Sequence, residues 1–129
     1  MKLYNIVKAL QNAKGSIAKQ AILNANSEDS LFKAYMKAVY DNSVMYYQTS
    51  LPKCTVTGGT GEFDESVISF ILEQYAGRKV TGDAAKRSLH TLIGNLNAEG
   101  VELLGLLIKR SVGASVGETM VLKTWPKLF

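Results

Sequence analysis

A chain of 129 residues with 47% apolar residues, 20% charged residues and two prolines fits one folded domain and excludes a disordered or low-complexity segment. Its longest apolar run, Val101 to Ile108, is broken by Glu102 and Gly105 and is far short of the ~20 residues that span a bilayer, so no membrane partner is expected. The net charge of +4 and the pI near 9.2 leave room for a polyanionic partner, or for an ordinary solvated surface.

In chain order, the pattern is helical almost throughout. Leu3, Ile6, Val7 and Leu10 recur at the spacing of one buried helix face. After Gly15, Ser16 is placed to cap a second helix, with Ile17, Ala18, Ala21, Ile22 and Ala25 as its inward side. Asn26 or Ser27 caps a third, with Glu28 and Asp29 in its first turn and Leu31, Phe32, Tyr35, Met36, Val39 and Tyr40 buried. The glycine-rich "LPKCTVTGGTGEF" reads as a loop, and its "CTVT" carries the one brief strand-like alternation. Asp64 opens a fourth helix that buries Val67, Ile68, Ile71, Leu72 and Tyr75. Thr81 is the natural cap of a fifth, with Ala85, Leu89, Leu92, Ile93 and Leu96 inward. Asn97 caps a sixth that is apolar on nearly every side and so runs through the centre. Ser115 and Glu118 have capping-box spacing and start a last helix, which Pro126 ends. The expectation is a single all-α domain of about seven helices.

Little here supports catalysis. His90 is the sole histidine and Cys54 the sole cysteine, too few to build a zinc site or an internal disulfide. One cysteine suits a reducing, intracellular setting, and "MKLYNIVKAL" lacks the apolar run of a signal peptide. "GGTGE" has the glycines of a phosphate loop without the Lys-Ser/Thr that must follow, and reads as a hinge.

Charge is unevenly spread. Lysine dominates residues 1–40, acids dominate 41–77, and positive charge returns in 78–93 and 109–129. Two stretches share one layout. "RKVTGDAAKR" places Arg78 and Lys79 before Thr81, Gly82 and a helix start, and "KRSVGASVGE" places Lys109 and Arg110 before Gly113, Ser115 and another. The first amides of a helix lack internal partners and carry partial positive charge, so phosphate oxygens fit there. Flanking guanidinium and ammonium groups add charge-assisted bonds. Asp83 and Glu118 lie in the same first turns and oppose an anion unless they point away.

The stretches "KQAILNAN" (19–26), "YY" (46–47), "RKVTGDAA" (78–85), "GASV" (113–116) and "KTWPKLF" (123–129) occur in an order and spacing that resemble the N-terminal DNA-binding domain of ATP-dependent DNA ligases, most closely those of T-even phages. Val80-Thr81-Gly82 also resembles a Leu-Thr-Gly segment of the larger cellular ligases. In their second signature turn this chain has Ser111 where arginine is frequent, with Arg110 one place earlier. The resemblance implies an all-helical domain spanning 1–129 that binds double-stranded, nicked DNA through phosphates and the minor groove. It implies catalytic nucleotidyltransferase and OB domains in cis, which lie outside this chain. There a lysine of Lys-x-Asp-Gly takes AMP from ATP with Mg2+ and passes it to the 5′-phosphate for displacement by the 3′-hydroxyl. None of the twelve lysines here begins that motif, so this chain is expected to be non-catalytic and to hold no cofactor.

The expected DNA contacts are Arg78, Lys79, Thr81, Gly82, Lys109, Arg110, Gly113 and Ser115. A monomer in the cytoplasm of an infected bacterial cell is the expected setting. The alternatives are a protein-interaction module docking a replication or repair partner, through the acidic stretch or the tyrosines 35, 40, 46 and 47, and a small enzyme built on His90.

Overall fold

The computed structural model describes residues 2–41, 59–79, 81–112, 116–126 and 128. Seven α-helices form there: α1 (Lys2–Asn12), α2 (Ser16–Ala25), α3 (Ser30–Tyr40), α4 (Glu65–Ile71), α5 (Gly82–Asn95), α6 (Ala98–Ile108) and α7 (Glu118–Thr124). A π turn over Leu72–Ala76 prolongs α4. No strand forms among the described residues, as the all-α expectation requires; "CTVT", Tyr46 and Tyr47 lie outside them.

Two caps follow the sequence signals. The Asp64 carboxylate accepts from the backbone N–H of Ser66 at 3.0 Å and of Val67 at 3.4 Å, and from the Ser66 hydroxyl. The hydroxyl, then these amides, hold its carboxyl below the ordinary value. Asn97 accepts from the Gly100 N–H at 2.7 Å. α3 begins later than expected. Its cap is Asp29, which accepts from the Phe32 N–H at 3.1 Å, because the Asn26 amide and side chain are both bonded to Ile22 at the end of α2.

α2 turns a different face inward from the one expected. Leu23 is buried, whereas Ala21 and Ala25 are exposed and Ile17 is 87% exposed. The helix has apolar residues on all sides, so its own period does not choose a face. α7 chooses it: Gln20 Nε2 donates to Thr124 at 2.8 Å.

α6 is the central rod. Leu103, Leu104 and Leu107 are fully buried, and each such leucine removed from water contributes about 1.5–3 kcal/mol. Edge-to-face ring pairs, Tyr35 on Phe63 and Phe32 on Trp125, each with centroids 5.5 Å apart, close the core around it. The Tyr35 hydroxyl is buried and donates to the Leu103 carbonyl at 2.7 Å; burial pushes it well above the ordinary phenol value. Burial likewise pushes Tyr40, bonded to the Val116 carbonyl, up to about 12.

Within "GGTGE", the described residues 59–62 are pinned and do not form a hinge. Gly61 and Leu96 form a bridge, with Gly61 N–H to the Asn95 carbonyl at 2.9 Å and Asn97 N–H to the Gly61 carbonyl at 2.8 Å. A Cβ on Gly59 or Gly61 would lie 2.5–2.6 Å from the backbone of 94–96. The glycines are there so that two backbones can touch.

The cross-links also fix the helix directions. Tyr35 to Leu103 and, further along both helices, the Arg110 guanidinium to the Asp41 carbonyl set α3 parallel to α6. Lys8 with Glu102, and Gln11 with the Val112 carbonyl at 2.9 Å, do the same for α1 and α6. Ser30 meets Glu65 at 3.1 Å at one end of the α3–α4 pair, and Asp41 and Ala76 share a groove at the other. α5 returns antiparallel, bringing Asn95 to Gly61 ahead of α4. α2 runs back along α1, and α7 lies beside α2, with Trp125 Nε1 donating to the Ser27 carbonyl at 3.0 Å. One end of the bundle therefore collects the C-terminal ends of α1, α3, the π turn and α6 with the N-terminal ends of α2, α5 and α7. The other end collects the caps Asp29, Asp64 and Asn97.

Candidate nucleic-acid interface

Acidic caps and first turns at one end, and basic residues at the C-terminal ends of α1, α3, the π turn and α6, bias charge along the bundle, although Asp41, Glu73, Asp83 and Glu118 stand at the basic end. Glu28, Asp29, Glu62, Asp64, Glu65 and Glu99 gather at the capped end. Lys14, Lys37, Arg78, Lys79, Lys109 and Arg110 gather at the other, where they also face the negative ends of the helix dipoles. The two basic pairs of the sequence are thus at the same end although about thirty residues separate them.

Each pair is held by a helix end. Arg78 follows the π turn, with Gly77 N–H bonded to the Leu72 carbonyl at 3.0 Å and Arg78 N–H to the Tyr75 carbonyl at 3.2 Å. Arg110 follows α6 in a Schellman pattern: its N–H bonds the Leu107 carbonyl at 2.9 Å and the Ser111 N–H bonds the Leu106 carbonyl at 3.0 Å. Both arginines occupy the left-handed region, Arg78 at φ 55° and Arg110 at φ 58°, where glycine is the usual residue. Both arginines thus hold, at the same end of one molecule, a conformation that disfavours a Cβ. Nothing in the sequence signals this, because the glycine of the first turn, Gly77, falls one place before the left-handed position.

The four basic side chains are not equivalent. Arg78, Lys79 and Lys109 are exposed. Lys79 Nζ lies 2.7 Å from Glu73, whose carboxyl it holds below its ordinary value, an exposed pair that a phosphate can displace. Arg110 is half-buried, and its Nη2 is engaged by the Asp41 carbonyl. It is a latch between α6 and α3 as well as a cation.

Thr81 stands at the cap position of α5, but its hydroxyl makes no cap bond. Gly82 at φ 57° turns the first amides away from it. Among the described residues no side-chain cap bond closes that helix start, which leaves its first amides open to another acceptor. Asp83 is exposed in the same turn.

The second expected helix start differs. α7 begins at Glu118 with Gly117 as its cap residue, and Val116 is not helical, so the Ser115–Glu118 box does not start the helix. Val116 is buried with its carbonyl held by Tyr40, which keeps the chain out of helix until Gly117. Gly113 and Ser115 lie outside the described residues. His90 is exposed on α5. No described group of three His, Cys, Asp or Glu side chains could hold a metal, and no described helix is long and apolar enough to cross a membrane.

No protein-family model matches the chain. The chain is similar to the DNA ligases of Enterobacteria phages T4 and T6, each 28% identical over 130 residues. The match takes in 99% of this chain and 26% of each ligase, so the chain spans about a quarter of the length of these curated relatives. The resemblance carried by the sequence motifs therefore extends from end to end. Among solved structures, Pmar-Lig_Pre superimposes with a TM-score of 0.81 at 18% identity, over 97% of this chain and 29% of that chain. Pmar-Lig_PreS3 does so with a TM-score of 0.75 at 19% identity, over 98% and 30%. These two share the helical fold.

Proposed function

We propose that this chain is the DNA-binding domain of an ATP-dependent DNA ligase, gripping the sugar–phosphate backbone of nicked duplex without reading its bases. The observation that carries the proposal is the meeting of three features at one end of the bundle: the uncapped start of α5, the left-handed Arg78 with Lys79, and Lys109 with Arg110. The likeness to DNA ligases over 99% of the chain supports reading DNA as the ligand of that end.

In this reading a phosphate oxygen sits on the first amides of α5, with Gly82 giving it close access. Arg78, Lys79 and Lys109 neutralise neighbouring phosphates, and Arg110 adds charge while fixing α6 to α3. Gly113 and Ser115 belong to the same contact by their motif. The domain holds the duplex so that nucleotidyltransferase and OB domains of the same protein, using ATP and Mg2+, close around the nick in the cytoplasm of an infected bacterial cell. It acts as a monomer and carries no cofactor.

The test is fluorescence anisotropy with labelled nicked and intact duplexes over a series of salt concentrations. Four neutralised phosphates give a log–log salt slope of about −3.6, and affinity near physiological salt falls at about 10⁻⁴–10⁻⁶ M. Reversing Arg78 and Lys79 together to Glu weakens binding to every sequence alike. An affinity indifferent to salt, or no binding at low salt, rejects the proposal.

One observation favours a second reading. Ala34, Ala38, Ile68 and Leu72 line a groove of about 400 Å³ between α3 and α4 beside the acidic stretch, a shape suited to a protein partner. A partner retained through that groove after nuclease treatment would carry this alternative.

A further inference from the structure

Resting on the DNA-binding reading, we propose that the tip of α2 is a third arm of the duplex interface. There Ile17 lies against deoxyribose rings of the minor groove while Lys14 and Lys123 flank it toward phosphates. Three observations lead to this. Ile17 is 87% exposed at the first turn of α2, far more open than Phe70 and Leu72, the other exposed large apolar residues among those described, each at 37%. That turn stands at the end of the bundle where Arg78, Lys79, Lys109 and Arg110 gather. A shallow groove of about 410 Å³ runs from Ser16 and Ile17 between α2 and α7 to Met120 and Lys123. No acid lines it, since Glu118 lies on the first turn of α7 outside the lining. Among the described residues neither lysine has an ion-pair partner.

An apolar side chain set among unpaired ammonium groups matches the minor groove, whose walls are apolar sugar faces bordered by phosphates. Proteins that occupy this groove combine lysine or arginine with protruding aliphatic side chains such as isoleucine. A protein surface would answer the isoleucine but not the excess of lysine.

Ile17→Ala in the whole chain tests the proposal, because so exposed a residue contributes little to folding. The thermal midpoint stays at the wild-type value. Affinity for duplex falls about fivefold, the worth of half-burying an isoleucine side chain. The salt slope is unchanged, since an apolar contact releases no counterions, whereas Lys14→Ala makes the slope shallower by about 0.9. Wild-type affinity in Ile17→Ala, alongside lost binding in the Arg78/Lys79 reversal, overturns the third arm and leaves the DNA-binding reading standing. Loss of binding in neither variant overturns that reading itself. Sedimentation that shows the wild type dimeric and Ile17→Ala monomeric assigns the tip to a second copy of the chain and overturns the proposal.

Discussion

The left-handed arginines allow a test in which stability and binding part company. Replacing Arg78 by Ala or by Gly removes the same guanidinium and the same contacts of the side chain. The two variants then differ in the backbone. Alanine at φ 55° keeps the Cβ clash of the left-handed region, about 1–2 kcal/mol, which glycine escapes. Glycine in turn gives up about 0.5–1 kcal/mol through the larger freedom of its unfolded chain. Arg78→Gly should thus be more stable than Arg78→Ala by about 0.5–1 kcal/mol, or about 2–4 °C in thermal midpoint for a domain of this size. Circular dichroism melts measure that difference. Anisotropy titrations on the same samples should show equal losses for both, each with a salt slope shallower by about 0.9. An alanine variant as stable as the glycine variant would refute the strain argument. A wild-type slope in both would refute a phosphate contact at Arg78.

Gly61→Ala acts at the far end. Its Cβ would meet the Asn95 carbonyl oxygen at 2.6 Å and part the Gly61–Leu96 bridge. A loss of about 2–4 kcal/mol is expected from overpacking and two weakened bonds, read by denaturant midpoint. DNA affinity measured where the variant is folded should not change. Asp64→Ala removes a helix cap and should cost about 1 kcal/mol at neutral pH. Because folding lowers the Asp64 pKa, that contribution is present above the ordinary carboxylate range. It fades as pH falls through the folded value, so wild type and variant should converge below about pH 4. A gap that persists in strong acid would count against the carboxylate as the cap.

Much of the fold could be read from the chain because its strongest signals are local. Asp64 and Asn97 bond amides two or three residues away, and α3, α5 and α6 carry apolar spacings that fit one face each. The failures have one origin. The face of α2 is chosen by α7, a hundred residues on. The cap of α3 moves to Asp29 because Asn26 is held by Ile22, and α7 starts late because Tyr40 holds Val116. The glycines of 59–61 resemble a flexible loop until Asn95 comes to rest against them. For the interface, the basic pairs were visible in the sequence, but their meeting depends on helix directions that only distant cross-links fix. The two left-handed arginines were invisible, since a turn that takes glycine elsewhere takes a long cation here.

The π turn over Leu72–Ala76 has a consequence for how this surface changes with sequence. A regular helix advances about 100° and 1.5 Å per residue, whereas a π turn spreads one extra residue over about the same rotation, so the helix beneath Arg78 and Lys79 is widened rather than turned. Deleting Gln74 would straighten the ladder into ordinary helix. Because the π turn takes up its extra residue within about the same rotation, both cations would keep their bearing while the wide turn beneath them narrows, so this stretch can lose a residue without re-aiming them.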